Sequence, residues 1–469
     1  MSQYLYAQLE QTLREQIESG QLASGAKLPS IRALCQQQKL SKSTVLAAFS
    51  RLEAEGLIEA KNRAGYFVSA SSTHRQKLTL PSTSQPKTTP LLVSSAQVLL
   101  DIMNRTAAFD LLPNGEEENH NPQLRRCLSR ALRRQDGHQQ HYYDSPLGNQ
   151  QLRQQVAQWV NHSGSNISAD ELIITSGCQH AQLLALMATT EPGDVVAIES
   201  PGFYGAFQLL EMLGLKALEL PSSVDEGISP QALSLALQHW DIKVLWLSPS
   251  YSTPTGACMP DTNKQQILAL TQARDIPIIE DDIYAELYFG LNRPRSIYSF
   301  DNQGSVLLCS SLSKSVSRDL RLGWIAPGRY HEKVQRLKLV TSLANSASLQ
   351  EGVSQFIAEG GLEKHLRHTR RLLQQQCSQL HSLIYQHIPS ALSASQPQGG
   401  MALWLELDHN IDTLKLYHNA REAGILLTPG QLFSAQGQYP NFLRMSFAHP
   451  WTQPRTDALQ HLGKMIAAL

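Results

Sequence analysis

The chain has 469 residues, of which 42% are hydrophobic and 17% are charged. At about 150 residues per domain, this length predicts several domains or lobes, and the composition is typical of a globular protein. No apolar run approaches the ~20 residues that cross a bilayer, so we expect no membrane partner. Lys and Arg together number 40, as do Asp and Glu, so nucleic-acid binding must be judged from where the charges lie.

The N-terminal segment and the cysteines predict the cellular compartment. Residues 1–20 are polar and amphipathic, unlike a signal peptide. The cysteines form neither CxxC pairs nor metal-ligand spacing: Cys35, Cys127, Cys178, Cys258, Cys309 and Cys377. We therefore expect free thiols, no metal site and a cytoplasmic protein.

The first 70 residues have the pattern of a small DNA-binding domain. Leucine and isoleucine recur every four residues over 5–17, which predicts an amphipathic helix that ends at Gly20. Two further helices are predicted over 29–37 and 41–54, and two short strands over 57–60 and 66–68. Three helices followed by a hairpin indicate a winged helix-turn-helix.

The third predicted helix begins with Ser41, Lys42, Ser43 and Thr44. In a helix-turn-helix the first residues of this helix face the major groove. Arg32, at the start of the preceding helix, and Arg63, in the predicted wing, are placed to contact phosphate or the minor groove. Such charges on their own are more often solvated, but their positions in this motif favour DNA binding.

The segment from LPSIR to GYFV resembles the GntR-family DNA-binding domain over roughly residues 3–69. The match includes LPSxR, the S-x-x-T-V helix start, RLEAEGLI and the GYFV strand. The resemblance implies a double-stranded DNA operator as partner. The family often has Arg where Lys42 stands, and Lys lacks the bidentate fork that suits guanine.

A flexible linker is predicted over residues 71–95, which are rich in Ser, Thr, Pro and Gln. A long surface loop within one domain is the alternative. After it, from residue 96 to 469, apolar strand-like runs alternate with helical stretches, which predicts an α/β fold with a mostly parallel sheet. We expect a large lobe over about 130–330 and a smaller α+β lobe over about 331–469.

Several chemical groups follow these apolar runs, where ligands of parallel sheets usually bind. Lys314 follows one strand, and Asp281 and Tyr284 follow another. Pyridoxal phosphate requires such a set: an amine to form an imine, a carboxylate for the pyridine nitrogen and a donor to the ring oxygen. Candidates for its phosphate are Ser311, Ser313 and Arg321, with the strand-to-helix turn at Gly177, Cys178 and Gln179.

Residues from about 97 to 469 resemble the fold-type I aminotransferases, especially the aminoadipate/kynurenine branch. The matching motifs are YYDSPLG, ITSGCQ, ESPGFYG, SPSYSTPTG, IIEDDIY, SSLSKSVSRDLRLGW, LTPGQLF and FLRMSF. The resemblance implies that Lys314 forms the Schiff base and Asp281 pairs with the pyridine nitrogen. It also implies that Phe203 stacks on the ring and that Arg444 binds a substrate carboxylate.

Two further positions follow from that resemblance. Tyr143 would reach the cofactor of a neighbouring subunit, which implies a homodimer. Many aminotransferases have Asn before Pro-Thr-Gly, whereas this chain has Thr253, whose shorter hydroxyl alters the contact with the ring oxygen.

The order of domains resembles the MocR/GabR subfamily of bacterial transcriptional regulators. It implies a cytoplasmic, PLP-dependent regulator that associates with the nucleoid when bound to DNA and senses an amino compound with a carboxylate by aldimine chemistry at Lys314. A catalytically active aminotransferase of the aminoadipate/kynurenine type with an accessory DNA-binding domain is the alternative. A third interpretation is a repressor whose cofactor fold is inactive.

Overall fold

The computed structural model describes residues 2–18, 21–23, 25–54, 57–61, 65–68, 78–86, 89–92, 111–112, 121–134 and 143–469. Among them, no helix is both long enough and apolar enough to span a membrane. All six cysteines are free thiols.

The N-terminal unit consists of three helices and an antiparallel hairpin. Its elements are α1 (Ser2–Glu18), α2 (Ile31–Gln37), α3 (Lys42–Ala54), β1 (Ile58–Lys61) and β2 (Gly65–Val68). One face of each helix fills a small core that includes Leu13, Val45 and Phe49. The predicted order of elements is confirmed, and the helix-ending residue Gly20 lies outside the described residues.

The start of α2 differs slightly from the prediction. The sequence predicts a helix from residue 29, whereas α2 begins at Ile31. Ser30 is its N-cap, because the Ser30 hydroxyl accepts a hydrogen bond from the Ala33 N–H at 3.1 Å.

The C-terminal unit is built on a large mixed sheet. Its strands are β3 (Leu91–Leu92), β4 (Ile173–Thr175), β5 (Val195–Ser200), β6 (Lys216–Ser223), β7 (Gly227–Ile228), β8 (Ile242–Leu247), β9 (Ile278–Asp281), β10 (Val306–Ser311) and β11 (Gly323–Ala326). The order is β3-β6-β5-β8-β9-β10-β11-β4, with β7 paired to β6. Strands β6, β5, β8, β9 and β10 run parallel to one another, whereas β3 and β7 pair antiparallel with β6, β11 with β10, and β4 with β11. The sheet is thus mostly parallel, as predicted, with antiparallel edges.

Helices surround this sheet because its strands are apolar on both faces. The helices of this unit up to residue 342 are α4 (Pro122–Arg134), α5 (Gln150–Asn161), α6 (Cys178–Thr189), α7 (Tyr204–Met212), α8 (Pro230–His239), α9 (Asp261–Gln272) and α10 (His331–Ser342). The smaller lobe contains α11 (Ala347–Ala358), α12 (Gly361–His387), α13 (Thr413–Glu422), α14 (Gln453–Ala467) and an antiparallel sheet of β12 (Ala391–Ala394), β13 (Ala402–Leu407) and β14 (Phe442–Ser446).

The prediction of a flexible linker over 71–95 does not hold for its described part. Leu91–Leu92 pairs with β6, and the Thr79 carbonyl accepts a hydrogen bond from the Ala394 N–H at 3.0 Å. Ser84 is buried; its hydroxyl accepts from the Ser222 N–H at 2.8 Å and donates to the Ser200 carbonyl. Residues 78–86 and 89–92 therefore pack against the C-terminal unit. Backbone groups of that unit form hydrogen bonds with them.

Candidate functional site

Two parallel strands bring the predicted chemical residues to one edge of the sheet. Strand β9 ends at Asp281, which lies beside Cys309 of β10. Lys314 follows β10 by three residues. A cavity opens at this edge, and its lining consists of Phe203, Tyr204, Thr253, Tyr284, Lys314, Arg318, Met401, Arg444, Ser446 and Ala448.

The amine of Lys314 faces this cavity in an electropositive setting. Burial, together with the nearby Arg318 and Arg444, lowers the pKa of Lys314 to about 7, while Asp281 opposes the shift. A substantial fraction of the amine is therefore neutral near pH 7, which is the form that attacks an aldehyde.

Asp281 is a buried carboxylate that makes no ion pair among the residues the structure describes. Burial raises the pKa of Asp281 to about 6. The Cys178 thiol donates to its Oδ1 at 3.4 Å and the Ile283 N–H donates to the same atom at 3.2 Å. A buried carboxylate with only neutral donors is suited to receive a cationic ligand group.

The neighbouring Asp282 differs, because its charge is already compensated. Its Oδ2 accepts a hydrogen bond from Arg293, which also binds Glu286 through Nε at 2.6 Å. Arg370 completes this buried network through a 3.1 Å ion pair with Glu286. Of these two adjacent aspartates, Asp281 is the one left to pair with a ligand.

Arg444 and Thr253 are in direct contact on the cavity wall. Arg444 lies on β14, is 8% exposed, and donates from Nε to the Thr253 hydroxyl at 3.1 Å. A hydrogen bond between Arg444 and the buried Tyr284 partly offsets the burial that raises the Tyr284 pKa. The Thr253 hydroxyl therefore orients Arg444. Many aminotransferases have Asn at the position of Thr253.

An anion cradle forms where β4 leads into α6. Gly177 precedes this helix with φ +108°, and a Cβ there would lie 3.1 Å from an Arg321 guanidinium nitrogen. Arg321 has φ +45°, an uncommon left-handed conformation for a non-glycine residue, and donates to the Ser176 carbonyl at 3.2 Å. The guanidinium thus lies beside the first N–H groups of α6, which begins at Cys178 and Gln179 and favours an anion.

Two serines, one at the end of β10 and one just after it, precede Arg321 in the chain. The Ser311 hydroxyl is buried and accepts a hydrogen bond from the Ser313 N–H at 3.3 Å. The Ser313 hydroxyl is also buried and has no hydrogen-bond partner within the described part of the chain. An unsatisfied buried hydroxyl is uncommon and fits a site that binds a polar ligand. Together with the amine, the unpaired carboxylate and the anion cradle, it forms a donor set that fits pyridoxal phosphate.

Aromatic rings close another side of the cavity. Phe203 lies in the lining and contacts Tyr204, with ring centroids 4.7 Å apart. Sequence reasoning selected Phe203 but did not place Tyr204, Arg318 or Met401 in the site. These three residues can be assigned to the site only from the fold, because their spacing in the sequence does not predict contact with a ligand.

Tyr143 is 82% exposed. Its predicted role toward the cofactor of a neighbouring subunit requires a second chain and stays a prediction.

The predicted DNA-binding residues lie at the start of α3 and on α2. The Ser41 hydroxyl caps α3 by accepting from the Thr44 N–H at 3.1 Å, and it also contacts the Ser43 hydroxyl at 2.8 Å. Arg32, Lys42 and Ser43 are exposed, whereas Thr44 is half-buried. Arg63 lies outside the described residues.

Comparison with protein families identifies both units. Residues 114–462 match the aminotransferase class I and II family, and residues 5–68 match the bacterial regulatory proteins of the gntR family.

Similar proteins share this architecture over nearly their whole length. The chain is 38% identical to the uncharacterized HTH-type transcriptional regulator YjiR of Escherichia coli, over 98% of both chains. It is 34% identical to YdcR of the same organism, again over 98% of both.

Among solved structures, LysN, an α-aminoadipate aminotransferase from Thermus thermophilus, superposes with a TM-score of 0.72 at 25% identity. The match covers 80% of this chain and 95% of LysN, which was solved in complex with N-(5'-phosphopyridoxyl)-L-leucine. The fold-type I fold is thus confirmed. The chain belongs to the gntR family of HTH-type transcriptional regulators, in the MocR-like group that joins this domain to an aminotransferase class I and II domain.

Proposed function

We propose that this regulator is a cytoplasmic, PLP-dependent sensor. It binds an amino compound with a carboxylate at Lys314, and this binding changes its affinity for operator DNA. The observation that carries the proposal is the joint presence of Lys314 and Arg444 in one cavity of a chain that begins with a DNA-binding domain. An amine and a carboxylate of one small molecule would meet complementary groups there.

Pyridoxal phosphate, when bound, supplies an aldehyde carbon that amines attack and a cationic ring that withdraws electrons. Lys314 would hold it covalently, and Asp281 would keep the ring nitrogen protonated. Tyr284 and Thr253 would donate toward the ring oxygen, and Phe203 would pack on the ring face. The N-terminus of α6 at Gly177, Cys178 and Gln179 would hold the phosphate, with Ser311, Ser313 and Arg321.

The effector's carboxylate would bind Arg444. Its guanidinium is almost fully buried in the cavity wall, and a hydrogen bond from Nε to the Thr253 hydroxyl holds it in place, so it can attract a carboxylate through charge-assisted hydrogen bonds. The ligand affects DNA binding only if it interacts differently with two arrangements of the protein. A homodimer, in which Tyr143 of each subunit reaches toward the other site, would provide such arrangements.

The winged helix would hold the operator through Arg32, Ser41, Lys42, Ser43 and Thr44, with Arg63 in the predicted wing. The start of α3 would lie in the major groove, where the exposed Lys42 would contact phosphate or a base edge.

The experiment that tests the proposal compares the wild-type protein with Lys314→Ala. We expect wild-type protein to show a visible absorbance band that amines shift, together with a ligand-dependent change in operator affinity. Lys314→Ala should lose the band and the ligand response while keeping basal operator affinity, because Lys314 lines the cavity and takes no part in the proposed DNA contacts. Steady turnover of an amino donor with no ligand effect on DNA would instead favour the aminotransferase alternative.

A further inference from the structure

The helix α4 concentrates positive charge on one face. Between Pro122 and Arg134 it contains no acidic residue and the following arginines: Arg125, Arg126, Arg130, Arg133 and Arg134. Its opposite face buries Leu124, Cys127 and Ala131 and packs against α11. The chain as a whole has no net charge, so this is a local concentration.

The arginines form one continuous surface. At about 100° of rotation per residue, the side chains from Arg125 to Arg134 cover about half of the helix circumference. They line an open groove of about 420 Å³ together with Ser129.

Most of this charge has no ion-pair partner in the part of the chain that the structure describes. Arg130 binds Glu359 at 2.7 Å. Within the described ranges, the four others make no ion pair or side-chain hydrogen bond. Like charges three or four residues apart destabilise a helix, so the packing of the buried face must offset their repulsion. An anionic partner would relieve that repulsion.

We propose that this arginine face of α4 is a second DNA contact, which binds the phosphate backbone next to the operator segment held by α3. The proposal rests on the DNA binding proposed above. Guanidinium groups form bidentate hydrogen bonds with phosphate, and exposed arginines reach it without desolvating a buried charge.

The dimensions suit a duplex. From Arg125 to Arg134 the helix rises about 14 Å, a length over which B-DNA carries about eight phosphate charges on its two strands. Backbone contacts carry no sequence information. The arginine face therefore adds affinity and orientation, while the choice of sequence stays with α3.

The test uses the full-length protein and the salt dependence of its affinity for the gene's own upstream DNA. The variant R125Q/R126Q/R133Q/R134Q removes the four uncompensated charges but keeps Arg130 for Glu359, and Gln resembles Arg in helix propensity. The control R367Q/R371Q removes two exposed arginines from α12. We expect the slope of log K against log salt to fall by about one for each arginine engaged, two to four in total, with an unchanged footprint centre. The control should retain the wild-type slope.

Two outcomes would overturn the inference. In the first, the quadruple variant keeps the wild-type slope while Lys42→Gln reduces it, which leaves the proposed function intact. In the second, sedimentation shows that the quadruple variant has changed its oligomeric state, so that the arginine face is a contact between subunits. If Lys42→Gln and the quadruple variant both leave DNA binding unchanged, the proposed DNA-binding function itself fails.

Discussion

Lys314 and Lys42 are the same side chain in two different settings. Lys314 lies in a cavity wall, where burial and two arginines lower its pKa to about 7. Lys42 projects from the exposed start of α3. We therefore expect the two sites to respond to mutation differently. Groups in the cavity depend on one another, whereas surface charges that contact phosphate act almost independently.

The largest effect on stability is expected from Arg293→Met, next to the cavity. This change removes the ion pair of Asp282 and leaves Glu286 with Arg370. Removing one partner of a buried network costs about 3–5 kcal/mol. Chemical denaturation should show this loss, whereas Arg336→Met, at an exposed ion pair on α10, should change stability by less than about 1 kcal/mol. Equal losses of unfolding free energy in the two variants would contradict the expected difference between cavity and surface charges.

Sequence reasoning recovered β9, which ends at Asp281, and β10, which precedes Lys314, because these strands are short, apolar and followed by polar residues. Local sequence patterns do not mark β6 or β11 as strands. Strand β6 contains Pro221 and polar residues near its end, and β11 follows the left-handed Arg321 without a turn-forming residue.

The rest of the site depends on tertiary contacts that no local pattern encodes. Arg444 and Thr253 are 191 positions apart, so their hydrogen bond could not be predicted from spacing. Likewise, the Ser- and Pro-rich composition of residues 78–86 predicts a free chain. That prediction fails because the buried hydroxyl of Ser84 forms hydrogen bonds with backbone groups that are distant in sequence.

Arg444→Gln should have the next largest effect. A charge-assisted hydrogen-bonded contact contributes about 1.5–3 kcal/mol, so ligands with a carboxylate should bind roughly 10- to 150-fold more weakly. Amines that lack a carboxylate should shift the cofactor spectrum of the variant at the wild-type concentration. Calorimetric or spectral titration with such a ligand pair measures the difference, and equal weakening of both ligands would show that Arg444 supports the cavity instead of binding the effector.

A smaller effect is expected from pH on cofactor attachment. Because the folded protein holds the Lys314 pKa near 7, below its ordinary value of 10.5, the neutral amine increases as pH rises through 7. The rate of cofactor uptake by stripped protein should rise about tenfold between pH 6 and pH 8 and then level off. A rate that continues to rise above pH 9 would mean that Lys314 titrates as an ordinary exposed lysine.

The smallest effect is expected at the DNA surface. Lys42→Gln should lower the slope of log K against log salt by about one, with a modest loss of operator affinity. It should leave the cofactor spectrum and its ligand titration unchanged. A spectral change in this variant would show that the two sites are not independent in the absence of DNA.

Control of DNA binding by the cofactor cavity requires that the two sites respond together. The most direct measurement follows operator affinity and the spectrum of the bound cofactor in one titration of wild-type protein with an amino acid that shifts the spectrum. Both signals should change over the same range of ligand concentration. A complete spectral shift with constant operator affinity would contradict such control.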